Sequence, residues 1–119
     1  MNSRVKGCRG EREFRDVLRE HGYTHARRGQ QFCGINGDGD IVCSDLPGLH
    51  FEVKRVEKLN LYDSVNQAKR DAAGESDISA RIPVVAHKKN HSEWLAILPM
   101  DTFLELLRRT DLVEGNNGE

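Results

Sequence analysis

Gly37-Asp38-Gly39-Asp40-Ile41-Val42-Cys43, then Ser44-Asp45-Leu46-Pro47-Gly48, then Leu49-His50-Phe51-Glu52-Val53-Lys54-Arg55 is the stretch on which the fold turns. Ile41–Cys43 and residues 49–53 are each rich in β-branched, aromatic or aliphatic side chains, and a Pro-Gly turn separates them. That pattern predicts a hairpin of two short strands. Side chains alternate faces along a strand, so Glu52 and Lys54 point one way while Phe51 and Val53 point the other. Folding back at Pro47-Gly48 brings Asp40, at the mouth of the first strand, toward the end of the second that carries Glu52 and Lys54. Two carboxylates and an ammonium then converge.

A pair of carboxylates held close together and backed by a backbone carbonyl suits a hard divalent cation, and magnesium prefers one or two carboxylates plus waters and substrate phosphate oxygens. Such a metal acidifies a bound water and neutralises charge on a phosphate, and a neighbouring lysine can position that water. The plainer alternative is an ion pair between Glu52 and Lys54 on an exposed strand, the usual fate of an isolated Glu-x-Lys.

Asp40, eleven residues, then Glu52-Val53-Lys54 resembles the Asp…Glu-x-Lys signature of the restriction-endonuclease-like, or PD-(D/E)xK, nuclease superfamily. Within it, Lys6-Gly7, Glu11-Arg12-Glu13, His21-Gly22-Tyr23, Arg27, Asp40-Ile41-Val42, Glu52-Val53-Lys54 and Gln67 are similar in order and spacing to the archaeal-type Holliday junction resolvases, some of them phage-encoded. The resemblance covers residues 6–98. It implies a magnesium-dependent endodeoxyribonuclease, with Mn2+ able to substitute, that resolves four-way DNA junctions by paired cuts as a homodimer. By the same resemblance Asp40, Glu52 and the Val53 carbonyl bind the metal, Glu11 completes the cluster directly or through water, and Lys54 orients or activates the attacking water. Lys6, Arg12, Arg27, Arg28 and Gln67 are the expected DNA contacts. A nicking, repair or restriction-type enzyme of the same superfamily, and a non-catalytic nucleic-acid-binding module, are the competing readings. Gly39 stands where the superfamily motif often has proline.

At 119 residues and 37% apolar composition the chain is expected to form a single domain over residues 1–113, with a Gly- and Asn-rich disordered tail at 114–119. Charged residues make up 31% but the net charge is −1, so DNA binding would rest on local patches. Three cysteines, Cys8, Cys33 and Cys43, without a Cys-x-x-Cys pair argue against a disulfide framework and a zinc knuckle. No signal peptide or apolar run of the roughly 20 residues needed for a span is evident, and a cytoplasmic, nucleoid-associated or infected-host location without membrane contact is expected. The glycines of residues 29–39 match neither nucleotide-binding fingerprint, so no nucleotide cofactor is expected.

Around the hairpin, residues 10–21 read as a helix with Phe14, Leu18 and Val17 inward, and Glu11 projects along that same stripe. An inward carboxylate requires pairing, hydrogen bonding or a metal; a first-turn glutamate that favours the helix dipole is the plainer reading. Arg12 and Arg15 flank that face as solvated side chains. Residues 23–28 form a strand, and Arg27 and Arg28 enter the glycine-rich loop, where guanidinium forks can grip phosphate or lie on the surface as a plain pair. Residues 61–73 form a second helix with Leu61, Val65, Ala68 and Ala72 on the packed face. Residues 82–88 and 94–98 are strands about a basic turn, and residues 101–109 a last helix more apolar than one packing face needs. His21, His25 and His50 read as structural or surface residues, and His87 and His91 do not make a metal pair. The fold class is therefore α/β: a mixed five-stranded sheet flanked by helices in the order α-β-β-β-α-β-β-α, which the resemblance would make a restriction-endonuclease-like core.

Overall fold

The computed structural model describes residues 3–29, 40–73 and 81–115, with side chains of the first helix from residue 8 onward. In chain order the elements are α1 (Ser3–Glu20), β1 (Ala26–Arg28), β2 (Ile41–Cys43), β3 (Leu49–Lys54), α2 (Leu61–Ala73), β4 (Ile82–His87), β5 (Leu95–Ile97) and α3 (Met100–Leu107). The strands form one mixed sheet in the order β1-β2-β3-β4-β5. β1, β2 and β3 make an antiparallel meander, β4 runs parallel to β3 after crossing over through α2, and β5 returns antiparallel to β4. A parallel neighbour needs such a crossover, and the helix in it must lie on one face of the sheet.

Strand alternation gives the sheet two unlike faces. Under α1, Ile41, Cys43, Phe51, Val84 and Ala86 pack with Phe14 and Leu18 into an apolar core. Phe14 meets the Phe51 ring edge-on at 5.3 Å and the Trp94 ring at 5.2 Å, within the range where aromatic pairs attract. The other face carries His50, Glu52, Lys54 and Val85, with α2 lying over β3 and β4. Ser64, Ala68 and Ala72 are the buried residues of α2; their small side chains let the helix sit close above polar groups. Val84, Val85 and Ala86 are all buried, as expected of a strand covered on both faces.

Several boundaries differ from the sequence expectation. The first helix starts at Ser3 instead of residue 10 and runs through Gly10, where packing requires a glycine: a Cβ there would collide with Cβ of Arg55. The first strand is confined to Ala26–Arg28, since Gly22 adopts a positive φ of 96° and Tyr23 belongs to the turn that follows α1. On α2 the inward stripe begins at Ser64, and Leu61 is exposed. α3 begins one residue earlier than expected, at Met100, ends at Leu107 and buries none of its residues; Met100, Phe103 and Leu104 face solvent. Among the described residues no helix is long and apolar enough to cross a membrane, and Cys8 and Cys43 are free thiols. Cys33, Asp38, the expected loop contacts Gln30, Gln31 and Asn36, and most of the expected tail lie outside the described residues.

Candidate active site

The hairpin delivers Asp40 to the base of β3. Ile41 pairs with Phe51, and the Asp40 amide donates to the Phe51 carbonyl at 3.1 Å. The Val53 amide in turn donates to Asp40 Oδ2 at 2.7 Å. One oxygen of Asp40 is thereby fixed by backbone, and the carboxyl lies within hydrogen-bonding reach of Glu52. The convergence expected from the alternation of β3 is present.

Glu52 is not on an exposed strand. Only 1% of it is accessible, and it lies in the polar layer beneath α2. Lys54, next on the same face, donates from Nζ to Gln67 Oε1 at 3.1 Å. Gln67 sits on α2, so the helix that covers the sheet also holds the ammonium beside the carboxyls.

Two further residues belong to this layer. His50 shares the face of Glu52, two positions earlier on β3, and its ring nitrogen Nε2 lies 2.8 Å from Glu52 Oε1. Asp71, one helical turn beyond Gln67 on α2, brings a carboxyl against Glu52. His50, Glu52 and Asp71 each offer a ligand atom within 4.8 Å of the other two, and a group of this kind can hold a metal ion. The sequence carried a signal for His50, because the alternation that pairs Glu52 with Lys54 puts residue 50 on the same face. Asp71 could be placed only once the crossover set α2 above β3.

The electrostatics follow from burial. Desolvation, and then the charge of Glu52, push the Asp40 carboxyl up to about 7 against the lowering influence of the Val53 amide. Glu52 is pushed up to about 8, by burial first and then by Asp71. Burial lowers His50, so the His50–Glu52 contact is a neutral hydrogen bond at pH 7. A proton on Nε2 donates to Glu52 and leaves Nδ1 as a bare lone pair; the other tautomer would bury an unpaired N–H, since Nδ1 has no partner among the described residues. Glu52 raises the proton affinity of Asp40 and Asp71 raises that of Glu52, and a divalent cation beside them relieves that repulsion. The oxygen donors of Asp40 and Glu52 fit the magnesium that the sequence pattern implies.

The remaining expected residues are placed less uniformly. Glu11, on α1, accepts from Arg28 Nε at 3.0 Å. Its pKa is raised, by burial first, with Asp40's charge adding to the rise and the Arg28 hydrogen bond opposing it. Glu11 is thus within electrostatic reach of Asp40 but is held in an ion pair. Arg28 also donates from Nη2 to Cys8 Sγ at 3.1 Å, so its guanidinium is committed to neighbouring protein groups. Arg27 points the opposite way on β1, exposed, with Nη1 donating to the Arg28 carbonyl at 3.3 Å. Arg12 is exposed on α1 and close enough to Glu11 to lower its pKa. The side chain of Lys6 lies outside the described residues.

A basic rim borders the site. The Lys88 amide donates to the Lys54 carbonyl at 3.2 Å, which brings the turn after β4 to the end of β3 that carries Lys54. Arg55 ties that rim to α1 and the turn, donating to Glu13 Oε2 at 3.1 Å and to Asn90 Oδ1 at 3.0 Å. Compared with family models, with curated proteins and with solved structures, the chain matches none.

Proposed function

We propose that the protein is a metal-dependent DNA endonuclease of restriction-endonuclease-like fold that hydrolyses phosphodiester bonds at four-way junctions as a homodimer. The observation that carries the reading is the convergence of Asp40, Glu52 and Lys54, with the Val53 amide fixing one carboxylate and Gln67 fixing the ammonium. The order helix, three-strand antiparallel meander, crossover helix and parallel fourth strand supports it further, because it sets Asp40, immediately before β2, beside Glu52 on β3.

Asp40, Glu52 and the Val53 carbonyl would hold the magnesium, with Glu11 reaching it directly or through water. When bound, the metal acidifies a water and offsets charge on the scissile phosphate. The chain's own groups do the positioning. An ammonium has three donors, so Lys54, with one N–H on Gln67, presents the others to the attacking water or to a phosphate oxygen. Arg12, Arg27, Lys88 and Lys89 supply cationic groups for the DNA backbone, where affinity comes mostly from phosphate contacts, while Arg55, paired with Glu13 and Glu57, braces the rim. The unburied apolar face of α3 is the dimer contact, giving the two-fold pair of sites that paired strand cuts require.

The test is cleavage of a labelled four-way junction and a duplex with the same arms, in magnesium or EDTA, by the native chain and Asp40→Asn. Paired cuts confined to the junction and lost with EDTA and with the variant are expected. Equal cutting of both substrates would replace the resolvase with a general nuclease of the same chemistry, and binding without cutting would leave a nucleic-acid-binding module.

A further inference from the structure

We propose that His50, Glu52 and Asp71 form a second cation site, sharing Glu52 with the Asp40 position, that takes a first-row transition ion in preference to magnesium. The inference rests on the metal-dependent reading above and adds two ligands to it, one of them nitrogen. Geometry is the first support. Ligands at right angles about an ion at about 2.1 Å lie roughly 3 Å apart, and Nε2 of His50 is 2.8 Å from Oε1 of Glu52. All three donor atoms fall within 4.8 Å of one another.

The second support is the position of the imidazole. Acidic side chains gather on surfaces without any ion, but His50 is 1% accessible and its Nε2 is aimed into the cluster. Its other nitrogen has no partner among the described residues, so among them the cluster supplies the ring's hydrogen-bond contact. Two different elements build the group: alternation on β3 aligns residues 50 and 52, and α2 sets Asp71 one turn from the Gln67 that holds Lys54.

The ligand chemistry sets the preference. Magnesium is selected by oxygen ligands alone, whereas imidazole suits iron, nickel, copper and zinc, and manganese(II), the weakest binder of that series, is the paramagnetic probe for the site. Coordination through Nε2 sends the ring proton to Nδ1, where it finds no acceptor. An unpaired buried donor weakens binding by roughly tenfold to a hundredfold, so the site is weaker than one whose imidazole has an acceptor for its second nitrogen.

The experiment uses the full chain, stripped of metal and titrated with Mn2+ while electron paramagnetic resonance reads the ion in solution and pulsed measurements read nitrogen coupling to the bound ion. The native chain is expected to show nitrogen coupling and uptake of a second Mn2+. Asp71→Asn is expected to weaken that uptake by about tenfold or more, with Mg2+ affinity, measured by calorimetry, changed less than about twofold. His50→Gln is expected to abolish the nitrogen signal. Absence of nitrogen coupling in the native chain overturns the site without recourse to any variant, as does native Mn2+ affinity in Asp71→Asn. Junction cleavage in Mg2+ separates the two readings. Cleavage without nitrogen coupling removes the second site and keeps the nuclease; coupling without cleavage in either ion supports the site and removes the nuclease.

Discussion

Replacing Glu52 by glutamine should stabilise the metal-free protein, and more so in alkali. Glu52 is 1% accessible, and its carboxyl is raised from an ordinary 4.5 to about 8 by burial and by Asp71. A group whose folded pKa exceeds its unfolded one binds its proton more tightly in the native state. Its contribution to stability is complete below about pH 4.5 and is lost as pH climbs through about 8. At about 1.4 kcal/mol per pH unit, ionising Glu52 opposes the fold by at most about 5 kcal/mol. Glutamine keeps an acceptor for His50 Nε2 but buries an amide whose N–H groups must also be satisfied, and Asp40 titrates in the same cluster. About 2 kcal/mol at pH 9 is therefore expected, and less than about 1 kcal/mol at pH 5. Urea unfolding in EDTA measures it, as a midpoint roughly 1–2 M higher for the variant at pH 9. A variant less stable than the native chain at pH 9, or a gain of the same size at both pH values, would refute the reasoning.

Three further outcomes follow from particular contacts. Gln67→Leu removes the acceptor that holds Lys54, and loss of a hydrogen bond to a charged group should slow single-turnover cleavage by about tenfold to a hundredfold while leaving junction affinity in a gel-shift titration unchanged. Gly10→Ala should lower stability by about 1–3 kcal/mol in thermal unfolding despite alanine's better helix propensity, because the new methyl meets Cβ of Arg55. Phe103→Glu, on the exposed apolar face of α3, should convert a dimer to a monomer in sedimentation without altering the circular dichroism spectrum.

How far the sequence could be read depended on whether a local rule or the tertiary arrangement decided each feature. The hairpin, the shared face of Glu52 and Lys54 and the approach of Asp40 are products of strand alternation and one turn, which residues 40–54 state outright. Both ends of α2 were legible for similar reasons, since its period and its flanks agree. The start of α1 was hidden because glycines at positions 7 and 10 discourage a helix, and only the approach of Arg55 explains the second of them. The alternative of Glu52 in an exposed ion pair is removed only once α2 is laid over it, and Asp71 carries no sequence signal until the parallel pairing of β3 and β4 fixes which strand α2 covers. His50 carried a usable signal in its spacing from Glu52, but an isolated histidine gives no reason to weigh that spacing. Arg28 shows the opposite case: its type suits phosphate, and its geometry commits it to Glu11 and Cys8.

The most direct measurement is single-turnover cleavage of a four-way junction in Mg2+ by the native chain, Asp40→Asn and Lys54→Ala, with junction affinity followed in parallel. Cutting by the native chain, with both variants slowed by about a hundredfold or more at unchanged affinity, is the predicted result. Native-rate cutting by Asp40→Asn, or no metal-dependent cutting by the native chain on any DNA, would contradict the assignment of this carboxylate and lysine cluster as a nuclease active site.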